Sequence, residues 1–142
     1  LKLKEKNGNK TILGGVPKAL PSLIKSERIQ EKASNAGFDW DEPSQVWDKV
    51  KEELGEVEKE LKSGTAEDKE AEFGDLLFCV VNAARLYKVN VDNALERTNQ
   101  KFIRRFNYIE EKAKEQGKKL SDMTLAEMDA LWNEAKTLEG KM

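Results

Sequence analysis

The stretch Glu53-Leu54-Gly55-Glu56, followed by a lysine- and glutamate-rich run to Ser63-Gly64-Thr65 and then by Glu72-Phe73-Gly74-Asp75-Leu76-Leu77-Phe78-Cys79-Val80-Val81, reads as two helices folded back on one turn. Each acid pair is spaced i to i+3, so each pair shares one helix face, and a short turn makes the two helices antiparallel neighbours. The carboxylates of Glu53, Glu56, Glu72 and Asp75 can then face a common point. Such a cluster repels itself unless a cation sits within it, and hard divalent cations take oxygen ligands, Mg²⁺ typically together with substrate phosphates.

The flanking sequence reads as further helices joined by loops, after a non-periodic start. Residues 1–16 have no hydrophobic period, contain Gly8, Gly14 and Gly15, and are expected to form a flexible linker or arm. From Pro17 the pattern Leu20, Leu23, Ile24, Ile29, Ala33 predicts a first helix, stopped by Gly37. Phe38-Asp39-Trp40-Asp41-Glu42-Pro43 is a loop whose aromatics have two readings, an apolar plug over a bundle end or a wall for a planar base. A second helix is expected from about Ser44 to Lys62, with Trp47, Val50, Leu54, Val57 and Leu61 as its stripe and Glu53, Glu56 and Glu60 on one flank of it. Gly64 is the expected stop, and Thr65 with Asp68 a cap for the third helix, about Ala66 to Tyr87. That helix is the most apolar and is expected to be the central, most buried one, with Glu72, Asp75, Cys79 and Asn82 along one line.

The fourth helix is expected from Val91 to about Gln116, with Leu95, Phe102, Phe106, Ile109 and Ala113 as its stripe and Lys101 and Arg105 on a neighbouring face. Thr124 and Glu127 form a capping box for a short last helix through Leu138, on which Lys136 follows Trp132 by one turn. The expectation is an all-α, four-helix-bundle-like fold with about five helices and one domain over residues 17–142.

Composition narrows the chemistry. The 142 residues hold 25 basic and 27 acidic side chains, so both signs are abundant and the net charge is only −2. No basic block suggests nucleic-acid binding, and no run resembles a membrane span or a secretory signal. With a single cysteine, Cys79, in an apolar run, the expectation is a reduced, cytoplasmic protein. There is no histidine, which removes His-type zinc sites, Ser-His-Asp and Cys-His nucleophiles, and Glu-x-x-His di-iron sites. Carboxylate, lysine, arginine and metal remain.

The acids alone have a plain alternative. In a chain that is 37% charged, Glu53, Glu56, Glu72 and Asp75 can be a solvated helix face, and Lys101 and Arg105 can be surface charges paired with Glu96 or Glu110. Beside a divalent cation the two basic residues would instead hold phosphate oxygens, arginine through its fork and lysine as a point charge.

Taken together, Glu53-x-x-Glu56 and Glu72-x-x-Asp75 resemble the metal signature of the MazG nucleoside triphosphate pyrophosphohydrolases, an all-α superfamily. The likeness extends over Gly15-Val16-Pro17-Lys18-Ala19-Leu20-Pro21-Ser22-Leu23, Gln30-Glu31-Lys32-Ala33, Gly37-Phe38-Asp39-Trp40, Gly74 to Phe78, Val81 to Arg85, and Asn99-x-Lys101-Phe102-x-Arg104-Arg105-Phe106. It is closest to the C-terminal catalytic domain of two-domain members, which would make the glycine-rich start a linker after an N-terminal MazG-like domain.

The resemblance implies hydrolysis of nucleoside triphosphates between the α and β phosphates, with broad specificity. It implies Mg²⁺, with Mn²⁺ as a substitute, on Glu53, Glu56, Glu72 and Asp75, and a helix-two glutamate, Glu53 or Glu56, acting on the attacking water. Lys101, Arg105, Trp132 and Lys136 match nucleotide-contacting positions, and Asn82, Phe38 and Trp40 are further candidates for substrate contact. It also implies an intertwined homodimer or a dimer of dimers, and the wide apolar stripes independently favour dimerisation. Two alternatives stand beside it: a dUTP- or dCTP-specific pyrophosphatase, and a non-catalytic helical nucleotide-binding or dimerisation module.

Overall fold

The computed structural model describes residues 11–141, so residues 1–10 of the expected arm lie outside the described residues. The chain forms two compact units, one up to Asp92 and one from Asn93 onward. All regular elements among the described residues are helical, with five α-helices and two 3₁₀ turns.

In the first unit, α1 spans Ser22–Asn35, α2 Val46–Ser63 and α3 Ala66–Leu86, with a 3₁₀ turn over Pro43–Gln45 leading into α2. Pro21, with no N–H to lose, stands at the N-cap of α1. Gly37 ends that helix at φ 102°, a left-handed conformation that glycine adopts without cost. Gly64 ends α2 as expected, without a left-handed turn. Its backbone is extended, φ −79° and ψ 159°. A Cβ there would lie 2.4 Å from Glu60 Oε1 and 2.8 Å from the Glu60 carbonyl, so close approach to the preceding turn is what requires glycine. Thr65 Oγ1 accepts the Asp68 N–H and Asp68 returns a bond to the Thr65 N–H, the reciprocal box that starts α3. α2 and α3 pack along their lengths as an antiparallel hairpin, and α1 lies against α3.

The expectation that α3 is the most buried helix is corrected. Only Val81 and Ala83 are buried on it, whereas Leu77 is 60% exposed and Phe73, Phe78 and Val80 are also open to solvent. Helix α2 shows the same one-sidedness, with Val46, Glu53 and Val57 inside and Leu54 and Leu61 outside. The physical reason is geometric. α1 and α2 cover only part of a helix whose apolar surface extends nearly all round, and the remainder has no partner in the unit.

The second unit takes in all but the first two residues of α4 (Val91–Glu115), which is followed by a 3₁₀ turn at Leu120–Asp122 and by α5 (Leu125–Glu139). Ile109, Ala113, Met123 and Leu131 form its core, flanked by Tyr108, Leu120, Met128 and Trp132. Gly117, at φ 69°, turns the chain after α4, and the Thr124–Glu127 capping box opens α5. Of the stripe expected on α4, Ile109 and Ala113 are buried, but Leu95, Phe102 and Phe106 are exposed. The core thus engages only the C-terminal half of that helix. No helix among the described residues is long and apolar enough to cross a membrane.

Candidate metal centre and adjoining pocket

The helical hairpin brings acids together as the spacing predicts. One carboxylate oxygen from each of Glu53, Glu72 and Asp75 lies within 4.8 Å of the others. Glu53 comes from the middle of α2 and is the buried member, at 8% exposure; Glu72 is partly buried and Asp75 exposed. Glu56, one turn after Glu53 and expected at the same point, is not in this trio; its charge is felt at Glu72. Lost hydration, then the negative charges of Asp75, Glu53, Glu56 and Glu60, push the Glu72 carboxyl above its ordinary value.

That mutual repulsion is the property a divalent cation would relieve, and an all-oxygen donor set suits Mg²⁺ or Mn²⁺ better than a soft metal. Cys79 adds no soft ligand to it. Burial, followed by the charge of Glu53, raises its thiol, so it stays protonated. The residues therefore fit a hard cation.

Lys49, one turn before Glu53, places Nζ 3.1 Å from Glu53 Oε2 and 3.3 Å from Glu52 Oε2. Its ammonium is held charged, its affinity for the proton raised first by Glu53 and then by Glu52. The i, i+4 spacing of Lys49 and Glu53 was there to be read in the sequence. What spacing could not tell is that the carboxylate is buried and the lysine its counter-charge.

Lys49 and Cys79 also border a pocket of about 670 Å³ within the first unit. Ile29 and Ala33 of α1, Val46 of α2 and Phe78 of α3 supply apolar wall, and Leu13 joins from the turns before α1. Phe38, Trp40 and Asn82, all singled out from sequence, line it too. Phe38 is 84% exposed, so it is a rim residue and not a plug over a bundle end.

One side of the pocket is braced by an arginine fork. Arg85 donates from Nη2 to Asp39 Oδ1 at 2.7 Å, from Nη1 to Asp39 Oδ2 at 3.2 Å, and from Nε to Asn82 Oδ1 at 2.9 Å. Ser34 Oγ donates to Asp39 Oδ2 at 2.6 Å. Asp39 consequently titrates at about 2 instead of 3.8; the Arg85 bond is the main cause, burial opposes it, and the Ser34 hydroxyl and Trp40 N–H assist. Because Arg85 Nε can only donate, the Asn82 amide must present Oδ1 to it and keep its N–H donors for other partners. Sequence reasoning missed this network, since Asp39 and Arg85 lie 46 residues apart.

It also missed Gln30. This side chain is 6% exposed, donates from Nε2 to the Phe78 carbonyl at 2.9 Å, and leaves its buried Oε1 without a partner among the described residues. A signal existed: Gln30 is seven residues after Leu23, in the apolar stripe of α1, where an amide is out of place.

In the second unit Arg105, Trp132 and Phe102 form another cluster. The Arg105 guanidinium lies 5.2 Å from the Trp132 ring centre, and Phe102 and Trp132 are 5.3 Å apart. Arg105 does not pair with Glu96 or Glu110. Its Nη2 and Nε donate to Glu139 Oε1 at 2.8 and 3.0 Å, and Arg104 joins from the other side at 3.3 Å to Oε2. Those guanidinium bonds lower the Glu139 carboxyl below its ordinary value. Glu96 is taken by Gln100 and Asn99. Lys101 is half-buried on the same helix, and Lys136 is exposed on α5.

The hairpin and its flanks resemble known proteins. Residues 42–109, which include all four acids, match the MazG nucleotide pyrophosphohydrolase domain. A Thermotoga maritima protein named nucleoside triphosphate pyrophosphohydrolase/pyrophosphatase MazG is 39% identical over 137 residues, covering 96% of this chain and 52% of its own length. The Escherichia coli K12 nucleoside triphosphate pyrophosphohydrolase is 36% identical over 129 residues, covering 89% of this chain and 49% of its own. A Bacillus subtilis protein named uncharacterized protein YabN is 50% identical over 141 residues, covering 98% of this chain and 29% of its own. The chain thus spans about half the length, or less, of these curated relatives. That domain match lies across the acid-bearing hairpin, so it is to the MazG family that the chain is similar.

Proposed function

We propose that this chain hydrolyses nucleoside triphosphates at the α–β phosphoanhydride, releasing nucleoside monophosphate and pyrophosphate, with Mg²⁺ or Mn²⁺ and with broad base specificity. The observation that carries the proposal is the convergence of Glu53, Glu72 and Asp75 on two adjacent helices of the stretch that matches the MazG domain. These three, with Glu56, would hold the cation. When bound, it supplies Lewis-acid charge that offsets the charge building on phosphoryl oxygens.

The chain's own residues would do the rest. Glu53 or Glu56 orients a water toward the α-phosphorus and accepts its proton as the new P–O bond forms and the bond to pyrophosphate breaks. Glu53 is the better candidate, because burial restricts its rotamers and shields it from bulk water. Lys101 and Arg105 would bind the triphosphate oxygens, with Trp132 stacked on the guanidinium and Lys136 adding charge. The nucleoside would enter the pocket bordered by Phe38, Trp40 and Asn82.

A second copy of the chain is proposed as a partner. The open apolar surfaces of α2 and α3, from Leu54 and Leu61 to Phe73 and Leu77, are larger than a solvated helix face requires.

Phosphorus NMR of the products from a panel of ribo- and deoxyribonucleoside triphosphates tests the reaction. Pyrophosphate should appear with Mg²⁺ and be lost in Glu56→Ala and Asp75→Ala, whose helical circular dichroism should remain. Release of inorganic phosphate would point to another bond, hydrolysis of one pyrimidine nucleotide alone to the narrower enzyme, and no turnover to a binding module.

A further inference from the structure

Gln30 Oε1 is the one buried side-chain oxygen or nitrogen without a hydrogen-bond partner among the described residues. Its orientation is not arbitrary. The Phe78 carbonyl can only accept, so the amide must turn Nε2 toward it, and Oε1 is the end left over. That end belongs to a residue lining the pocket on its apolar side, beside Ile29, Ala33 and Phe78, with Asp39, Lys49, Asn82 and Arg85 also in the lining. A buried amide oxygen without a donor is unfavourable, and its site is therefore selective for something that brings one.

We infer that Gln30 Oε1 accepts a hydrogen bond from an N–H on the hydrogen-bonding edge of the nucleobase, and so is a specificity-determining residue of the pocket. This rests on the hydrolase reading above for the identity of the ligand. The chemistry explains how one pocket can be both broad and selective. Adenine, guanine, cytosine, uracil and thymine differ in outline, yet each carries an N–H donor on that edge. A ring without one would leave Oε1 unpaired. The neighbouring Asn82, with Oδ1 engaged by Arg85, has N–H donors to complement an acceptor on the same edge. Apolar wall supplies affinity for any planar ring, and the amide oxygen supplies the requirement for a donor.

The decisive comparison is ATP against purine riboside 5′-triphosphate, which differs by lacking the 6-amino donor. In the wild-type protein with Mg²⁺, kcat/KM for the analogue should be lower by about tenfold to a hundredfold. In Gln30→Met, which keeps length and volume but has no acceptor of comparable strength, the two substrates should converge, chiefly because ATP becomes worse. Calorimetric binding of adenosine 5′-monophosphate and purine riboside 5′-monophosphate, without metal, should show the same pattern independently of turnover.

A wild-type ratio near one, expected if a trapped water satisfies Oε1, overturns the inference even if Gln30→Met fails to fold. So does a full ratio that survives in the variant. If no triphosphate is cleaved but the monophosphates bind with the stated ratio, the hydrolase reading falls and the role of Gln30 stands. If neither monophosphate binds and nothing is cleaved, both fall.

Discussion

Lys49 Nζ lies 3.1 Å from the buried Glu53 Oε2, so the carboxylate at the heart of the acid cluster already has a counter-charge supplied by its own helix. Removing the lysine leaves a desolvated carboxylate facing Glu72 and Asp75 alone. Lys49→Met should lower the Tm of the metal-free protein by a few degrees, and saturating Mg²⁺ should recover most of the loss. Differential scanning calorimetry with and without chelator checks it; a variant as stable as wild type in chelator would show that Lys49 is a spectator.

Glu72 is the carboxylate that the cluster destabilises most visibly, its proton held more tightly because Asp75, Glu53, Glu56 and Glu60 surround it. A carboxyl whose folded value is raised binds more protons in the folded state. Its ionisation therefore weakens the fold as pH rises past the unfolded value, and cation uptake must displace any remaining proton. Glu72→Gln should raise the Tm of the metal-free protein at pH 7 while weakening Mn²⁺ binding by about tenfold or more. Wild-type Mn²⁺ affinity should climb with pH over the range just above an ordinary glutamate. Electron paramagnetic resonance of free Mn²⁺ reads both.

Asp39 carries the opposite sign. Held at about 2 by Arg85 against an ordinary 3.8, it contributes stability that is fully present above pH 3.8 and is lost as pH falls from there toward 2. With the aspartate a quarter exposed and the arginine nearly enclosed, the contribution is ~1–2 kcal/mol after discount for screening. Asp39→Asn should cost that amount at pH 7 in urea unfolding and little at pH 2. An equal loss at both pH values would rule out the ion pair as its source.

Arg105 is stacked on Trp132 and forked onto Glu139, two contacts that a lysine cannot reproduce together. If the guanidinium also receives triphosphate oxygens, Arg105→Lys should raise KM about tenfold with a smaller fall in kcat. Glu139→Gln, which removes the internal competitor, should lower KM. Steady-state kinetics with a pyrophosphate-coupled assay separate the two parameters.

Leu77, 60% exposed on the most apolar helix, marks the surface proposed to meet a second copy. Leu77→Glu should shift sedimentation toward the monomer mass and, with the partner lost, lower the cooperativity of unfolding. A wild-type protein that sediments as a monomer at micromolar concentration would remove the dimer reading at once.

Much of this was legible in the chain because the signals are local. Helix type follows from a period of three and four residues, the caps at Thr65 and Thr124 from side chains that reach three residues along, and the shared face of Glu72 and Asp75 from the pitch of one helix. Even the meeting of Glu53 with those two needs only a tight turn at Gly64. These features depend on covalent neighbours, and sequence spacing measures them directly.

Tertiary packing decided the rest. Whether Leu77 is buried depends on how much of α3 the other helices can cover, which no period in α3 records. The bond from Arg85 to Asp39 and that from Gln30 to the Phe78 carbonyl join residues 46 and 48 positions apart, and the partners of Arg105 lie on another helix. Spacing determined that carboxylates would gather on one hairpin. Only the fold determined which of them is desolvated, which lysine answers it, and which amide is left with an oxygen to offer, because burial and long-range pairing belong to the packed chain and not to any segment of it.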